Sequence, residues 1–138
     1  MERESPKRKP IRHFTDLIAC QKAYQLGLRV FAVSKTWPPE EKHALADQVR
    51  RSSRSVSTNI AAAWGKRRYE AHFISKLSGS DTELLETENW LTFARDHGYL
   101  AVEEFSLLHA PMREIGPMHG GMMQNPEPFL LRQARGLD

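Results

Sequence analysis

From Phe14 to Met122 the apolar residues return every three or four positions, and no stretch alternates apolar with polar. That period is the period of an amphipathic helix, so the chain asks for helices packed on helices and leaves no place for a sheet. The first segment opens at Thr15 or Asp16. In it Phe14, Leu17, Gln21, Tyr24, Leu28 and Phe31 form one stripe, and Ala19, Ala23, Leu26, Val30 and Val33 form a second on another face. Two apolar faces call for two partners: the bundle core and a neighbouring subunit. Trp37, Pro38 and Pro39 break this helix, and Pro39 with Glu40 and Glu41 makes a suitable first turn for the next. Helix two then carries Leu45, Val49, Ser52, Val56, Ile60 and Ala63 inward and ends at Gly65. Helix three runs from Tyr69 or Glu70 to His97, with Phe73, Leu77, Ser80, Leu84, Thr87, Leu91 and Ala94 on its seam and Gly98 as its cap. In helix four the seam is Phe105, Leu108, Met112, Ile115, His119 and Met122. Pro111 and Pro117 interrupt it, and each interior proline costs about 3 kcal/mol, so a bend near Pro111 and loss of regular structure by Gly120 are expected.

Short connections between consecutive long helices predict an all-α, antiparallel up-and-down four-helix bundle. The chain of 138 residues has room for one such core. The organisation expected is a flexible basic N-terminal arm over 1–13, the bundle over 14–124 and a C-terminal tail over 125–138, in which Phe129, Leu130 and Leu131 are free to dock. No stretch approaches the ~18 apolar residues of a membrane span, and the single Cys20 fits a reducing compartment, so a cytoplasmic location is expected. Cys20, inside a helical pattern and with no activating neighbour, reads as a small packed side chain.

The net charge of +3 matters less than its placement. Between Gln48 and Tyr69 stand Arg50, Arg51, Arg54, Lys66, Arg67 and Arg68 without one acid, whereas the following stretch carries Glu70, Asp81, Glu83, Glu86, Glu88 and Asp96. Helical geometry puts Arg50, Arg51 and Arg54 opposite the helix-two seam, and the Lys66–Arg68 turn is flanked by Trp64 and Tyr69. Cations neutralise phosphates and neighbouring aromatics stack on unpaired bases, so this is a candidate nucleic-acid surface. A solvated face balanced by acidic helix three is the competing reading. Glu86 is expected to meet an arginine of helix two. Asn59, near the seam, either bonds across the bundle or lies half-exposed in water.

Nothing in the sequence asks for catalysis: there is no Walker loop, serine elbow or CxxC pair. A di-iron bundle needs two Glu-x-x-His motifs, and only Glu40–His43 fits. His109, Met112, Met118, His119, Met122 and Met123 read as a methionine-lined seam rather than a soft-metal site. No metal and no cofactor is expected.

Three blocks of residues resemble a known family. They are Phe14-Thr15-Asp16-Leu17 with Gln21-Lys22-Ala23; Gln48-Val49-Arg50-Arg51 running to Val56-Ser57-Thr58-Asn59-Ile60-Ala61; and Phe73-Ile74, Leu77-Ser78, Glu86, Glu88, Leu91, Ala94, Arg95 and Gly98-Tyr99. In this order they are similar to the four-helix-bundle proteins encoded in intervening sequences of large-subunit ribosomal RNA genes, which in turn resemble accessory variability proteins of diversity-generating retroelements. Ser57 replaces the family's proline, and Ala62 and Ala63 replace its Glu-Gly pair. The resemblance implies a homopentameric ring, a role in binding RNA or DNA, and no established enzyme activity. The function expected is a non-catalytic RNA-binding accessory protein, an adaptor for an enzyme such as a reverse transcriptase; the alternative is a structural or protein-interaction bundle that never touches nucleic acid.

Overall fold

A computed structural model describes residues 10–131 of the chain. Most of the expected N-terminal arm, including Lys7, Arg8 and Lys9, and residues 132–138 of the expected tail lie outside the described residues. Within them the structure is all-helical: α1 (Ile18–Ser34), α2 (Leu45–Gly65), α3 (Glu70–Asp96) and α4 (Val102–Gln124) form a four-helix bundle, and no strand occurs among the described residues. Single 3₁₀ turns at Phe14–Asp16, Pro39–Glu41 and Glu127–Phe129 punctuate it. Helix α2 packs on α1 and α3, and α4 closes the bundle against α3 and α1, so α1 and α3 are diagonal.

The inward seams are those the period predicts. Leu45, Val49, Ser52, Val56, Ile60 and Ala63 of α2 are buried, as are Phe73, Leu77, Ser80, Leu84, Thr87, Leu91 and Ala94 of α3. On α1 the second stripe, Ala19, Ala23, Leu26 and Val30, is the core side. Of the first stripe Leu17 is buried, while Tyr24 and Leu28 remain 58% and 50% exposed. Small side chains let α2 and α3 approach closely: Gly79 sits against Asn59, whose Oδ1 lies 3.5 Å from where a Cβ would stand.

Ends are set by local chemistry. Gly98 adopts φ +81° just past α3, which frees Tyr99 N–H to donate to Ala94 O (2.9 Å) and Gly98 N–H to donate to Arg95 O (3.0 Å), a Schellman stop. Helix α4 begins with Glu103 and Glu104 at its positive end, and the Glu104 carboxylate accepts from Ala101 N–H. Pro39–Glu41 makes a separate 3₁₀ turn, so α2 starts at Leu45 rather than at Pro39.

The expected loss of regular structure by Gly120 does not occur: α4 continues through both prolines to Gln124. Each proline frees the carbonyl four residues earlier, at Leu107 and Arg113, and both of those residues face solvent, where water accepts the role of the missing N–H. Against the local cost stands the burial of Leu108, Met112, Ile115, His119 and Met122, with each large apolar side chain contributing roughly 1.5–3 kcal/mol. Beyond α4 the chain turns back onto the bundle. Phe129 stacks on Phe73 at 6.0 Å, Leu130 is buried, and Leu131 N–H donates to Arg67 O (3.2 Å).

Candidate nucleic-acid interface

The six cations singled out in the sequence do not form one uniform patch. Arg50, Arg51 and Arg54 lie in the first half of α2, and Lys66, Arg67 and Arg68 follow its end. Twelve residue steps along the helix separate Arg54 from Lys66, about 18 Å at 1.5 Å per step.

Arg50 is not on the solvent side but half-buried at the edge toward α1. Its Nε donates to Ser34 Oγ (2.7 Å), and its guanidinium lies over the Phe31 ring at 4.8 Å. Lys35 and Arg54 face the same ring at 4.7 and 5.4 Å. The reason is the helix-one stripe: Phe31 is carried out of the core on the flank that α2 approaches, and its electron-rich face draws cations.

Arg51 and Arg54 are exposed. Arg51 is near enough to Glu83 of α3 for its charge to act on that carboxyl, and no ion pair joins Glu86 to an arginine of α2 among the described residues. Burial, then the hydrogen bond and charge of Glu86, push the Glu83 carboxyl above its ordinary range, and Arg51 pulls it back.

Arg67 is half-buried and consumed by the fold. Its Nε donates to Trp64 O (2.7 Å) and its guanidinium covers the Trp64 ring at 3.5 Å. Trp64 is 9% exposed. Its indole face is taken by Arg67, so Trp64 packs rather than flanks the turn as an open stacking platform. Lys66, Arg68 and Tyr69 are exposed, Tyr69 with its ring edge-on to His72 at 5.3 Å. Asn59 is half-buried and bonds within its own helix, Nδ2 donating to Ser55 O (2.9 Å), rather than across the bundle.

The ion pairs among the described residues are Lys22–Glu114 and Arg95–Asp96, and two histidines, His109 and His119, hydrogen-bond the carboxylates of Glu88 and Asp81. None involves the six cations of the α2 segment.

One polar constellation escaped the sequence reading. Ser80 of α3 and His119 of α4 are wholly buried, with Ser80 Oγ 2.8 Å from His119 Nε2 and His119 Nδ1 3.0 Å from Asp81 Oδ1. Ser80 Oγ is also 2.7 Å from Val56 O of α2. Burial lowers the His119 pKa, and Asp81 opposes that shift. As a neutral ring His119 donates from Nδ1 to Asp81, and Nε2 and the Val56 carbonyl share the single proton of the Ser80 hydroxyl. When charged, Nε2–H donates to Ser80 Oγ, and the hydroxyl turns to the Val56 carbonyl. Serine, histidine and aspartate thus stand in relay order, but serine and ring are sealed from solvent and join three helices instead of meeting a substrate. The signal was present in the sequence: Ser80 and His119 both sit on predicted seams, and a polar residue on each of two facing seams marks a pair. Cys20 is buried as expected, and burial raises its pKa. No group of three or more His, Cys, Asp or Glu side chains is placed to hold a metal ion among the described residues, and no helix there is long and apolar enough to cross a membrane.

A four-helix bundle with a basic outer segment on its second helix defines a class rather than a function. The model of the 23S rRNA-intervening sequence proteins matches residues 15–121, and the chain belongs to that family. A crystal structure of a Bacteroides thetaiotaomicron protein of unknown function from the S23 ribosomal protein family superposes on it with a TM-score of 0.71. The two are 25% identical, and the match covers 78% of this chain and 96% of the other. No curated protein matches the chain significantly.

Proposed function

We propose that this protein is a non-catalytic, oligomeric accessory protein of the cytoplasm that holds the backbone of structured RNA on the outer side of α2 and the turn after it. The observation that carries this reading is the unpaired state of the basic segment. Six cations lie within one stretch beside an acid-rich helix, and none of them is in ion-pair contact with a carboxylate among the described residues. A stable bundle gains little from surface ion pairs, so leaving these unmade costs little, while a phosphate backbone that replaces its counterions with them gains affinity. Arg51, Arg54, Lys66 and Arg68 are free for that role; Arg50 and Arg67 position the edges of the surface. The family's name, 23S rRNA-intervening sequence protein, agrees with an RNA setting.

On this reading the four helices run up and down, antiparallel, and the subunit assembles as the homopentameric ring that the family resemblance implies. Repetition of a weak basic surface in a ring multiplies its hold on one RNA. The family's resemblance to retroelement accessory proteins suggests a partner: a reverse transcriptase or similar enzyme to which the RNA is presented.

The test is filter binding of the whole protein to one structured RNA over a series of salt concentrations. Affinity should fall with a log–log slope of about 0.7 to 0.9 per phosphate neutralised, with little dependence on sequence. Absence of binding at low salt would leave the bundle as a structural or protein-interaction module.

A further inference from the structure

Where α1 approaches the first half of α2 there is an open pocket of about 440 Å³, lined by Phe31, Arg50, Arg51, Arg54, Ser55 and Thr58. Its arginines are gathered without a carboxylate partner. The guanidiniums of Arg50 and Arg54 stand 4.8 and 5.4 Å from the centre of the Phe31 ring, and Lys35 adds a further cation at that ring. Arg50 is also fixed by the buried Ser34, whose hydroxyl accepts from Arg50 Nε at 2.7 Å and donates to Phe31 O at 2.9 Å. One of the five N–H donors of the guanidinium is thereby used, and both Nη atoms are without a hydrogen bond among the described residues. An aromatic ring holds a cation in place and, unlike a carboxylate, leaves its charge uncancelled. Asp47 is the one acid among the described residues that line the pocket, and it is not within ion-pair distance of any of the three arginines. Three guanidinium charges against that single carboxylate leave two positive charges in the pocket to be met from outside.

We propose that this pocket takes a phosphate monoester, the terminal phosphate of an RNA strand. The inference rests on the RNA reading above and adds which part of the strand is held at the Phe31 end of the surface. Charge selects the ligand first. A monoester carries about 1.5 to 2 negative charges near neutral pH and each phosphodiester of the chain only one, so the end group matches the pocket while a passing backbone leaves it half compensated. Oxygen count selects it again. A monoester presents three terminal oxygens and a diester two, and the forked donors of arginine pair with such oxygens two at a time. Of the two hydroxyls in the lining, Thr58 has given its proton to Arg54 O at 2.9 Å, whereas Ser55 has no side-chain hydrogen bond among the described residues and has a proton to give. The turn after α2 lacks this convergence. There Arg67 is spent on Trp64, and no ring gathers Lys66 and Arg68 among the described residues, which suits them to the backbone. Phe31 is a positioning residue: it acts by holding Arg50 and Arg54 together.

The test is filter binding of the whole protein to one RNA stem prepared with a 5′-phosphate, with a 3′-phosphate or with neither, at several salt concentrations. The wild type should prefer at least one phosphorylated form over the unphosphorylated stem by about tenfold, the equivalent of one charge-assisted hydrogen bond. Arg54→Gln, at a solvent-facing side chain, should abolish the preference. Phe31→Leu should lose most of it at unchanged net charge and unchanged salt slope, which removal of charge alone cannot mimic. Lys66→Gln with Arg68→Gln should weaken all three stems alike and keep the ratio. Circular dichroism should show wild-type helicity in each variant; if Phe31→Leu unfolds, Arg54→Gln decides. Equal affinity of the wild type for the three stems, with the expected salt slope, overturns the pocket and leaves the backbone reading standing. A preference that survives both Arg54→Gln and Phe31→Leu overturns it as well. Binding of no stem overturns the backbone reading, and the pocket is then decided by calorimetric titration with adenosine 5′-monophosphate against adenosine. Heat from the nucleotide alone that disappears in Arg54→Gln supports the pocket, and no heat from either compound overturns it.

Discussion

The inner seam of α2, α3 and α4 and the outer face of α1 and α2 treat their polar groups in opposite ways. Inside, Ser52, Ser53, Ser80, Thr87 and His119 are all buried and all hydrogen-bonded. Outside, Lys66 and Arg68 are exposed and make no ion pair among the described residues, Arg51 is exposed and meets only the charge of Glu83, and Tyr24 and Leu28 stay open to solvent. A buried polar group without a partner costs about 1–3 kcal/mol, so the fold satisfies these seam groups and leaves only Trp37 Nε1 and Glu83 Oε2 buried without a hydrogen bond among the described residues. No such penalty acts on a hydrated cation. What the bundle leaves unmatched on its surface is therefore free to be used on something else.

If that contrast holds, substitutions should separate by side. The largest effect belongs to the core. Phe73 is wholly buried and stacks on Phe129, so Phe73→Ala should lower unfolding stability by about 3–5 kcal/mol in urea denaturation and also loosen the returning segment. A loss under 1 kcal/mol would mean that the segment after α4 does not pack as described.

A smaller effect concerns the sealed relay. The pKa of His119 in the folded chain lies below that of the unfolded chain, so near and below the ordinary imidazole value of 6.5 the unfolded chain binds the proton more readily. The stability that the neutral ring provides is complete above that range and declines as pH falls through it toward the folded value. Urea midpoints measured from about pH 7.5 down to about pH 5 should decrease in the wild type. His119→Gln should be less stable throughout and should lack this part of the pH dependence; an unchanged pH profile in the variant would assign it to other groups.

Much of this architecture was readable beforehand, and the misses have physical causes. The seams of α2 and α3 are legible because one face of each helix is buried along its whole length, which imposes a regular period. The continuation of α4 was not, because local rules count the cost of Pro111 and Pro117 but not that Leu107 and Arg113, whose carbonyls they free, turn to water. The basic segment was visible as composition only. Periodicity placed Arg50 opposite the seam, but helix α1 approaches that flank and Phe31 and Ser34 capture it. Nor does a run of three cations show that its middle member folds back on the preceding tryptophan.

The smallest expected effects on stability are at the surface. Arg51→Gln should change unfolding free energy by no more than about 0.5 kcal/mol, as urea denaturation would show. A loss several times larger would mean that its interaction with Glu83 is part of the fold.

The most direct test of the contrast lies within one turn, where Arg67 is held by Trp64 while Lys66 and Arg68 are free. Arg67→Gln should be compared with the double variant Lys66→Gln, Arg68→Gln in urea unfolding and in salt-dependent filter binding to one structured RNA. The double variant should keep the unfolding midpoint and lower the magnitude of the log–log salt slope by about 0.7 for each charge removed from every subunit in contact with RNA. Arg67→Gln should lower the midpoint and leave the slope near that of the wild type. The reverse pattern, or equal effects of the two variants on both measurements, would contradict the division between cations that build the fold and cations left for the nucleic acid.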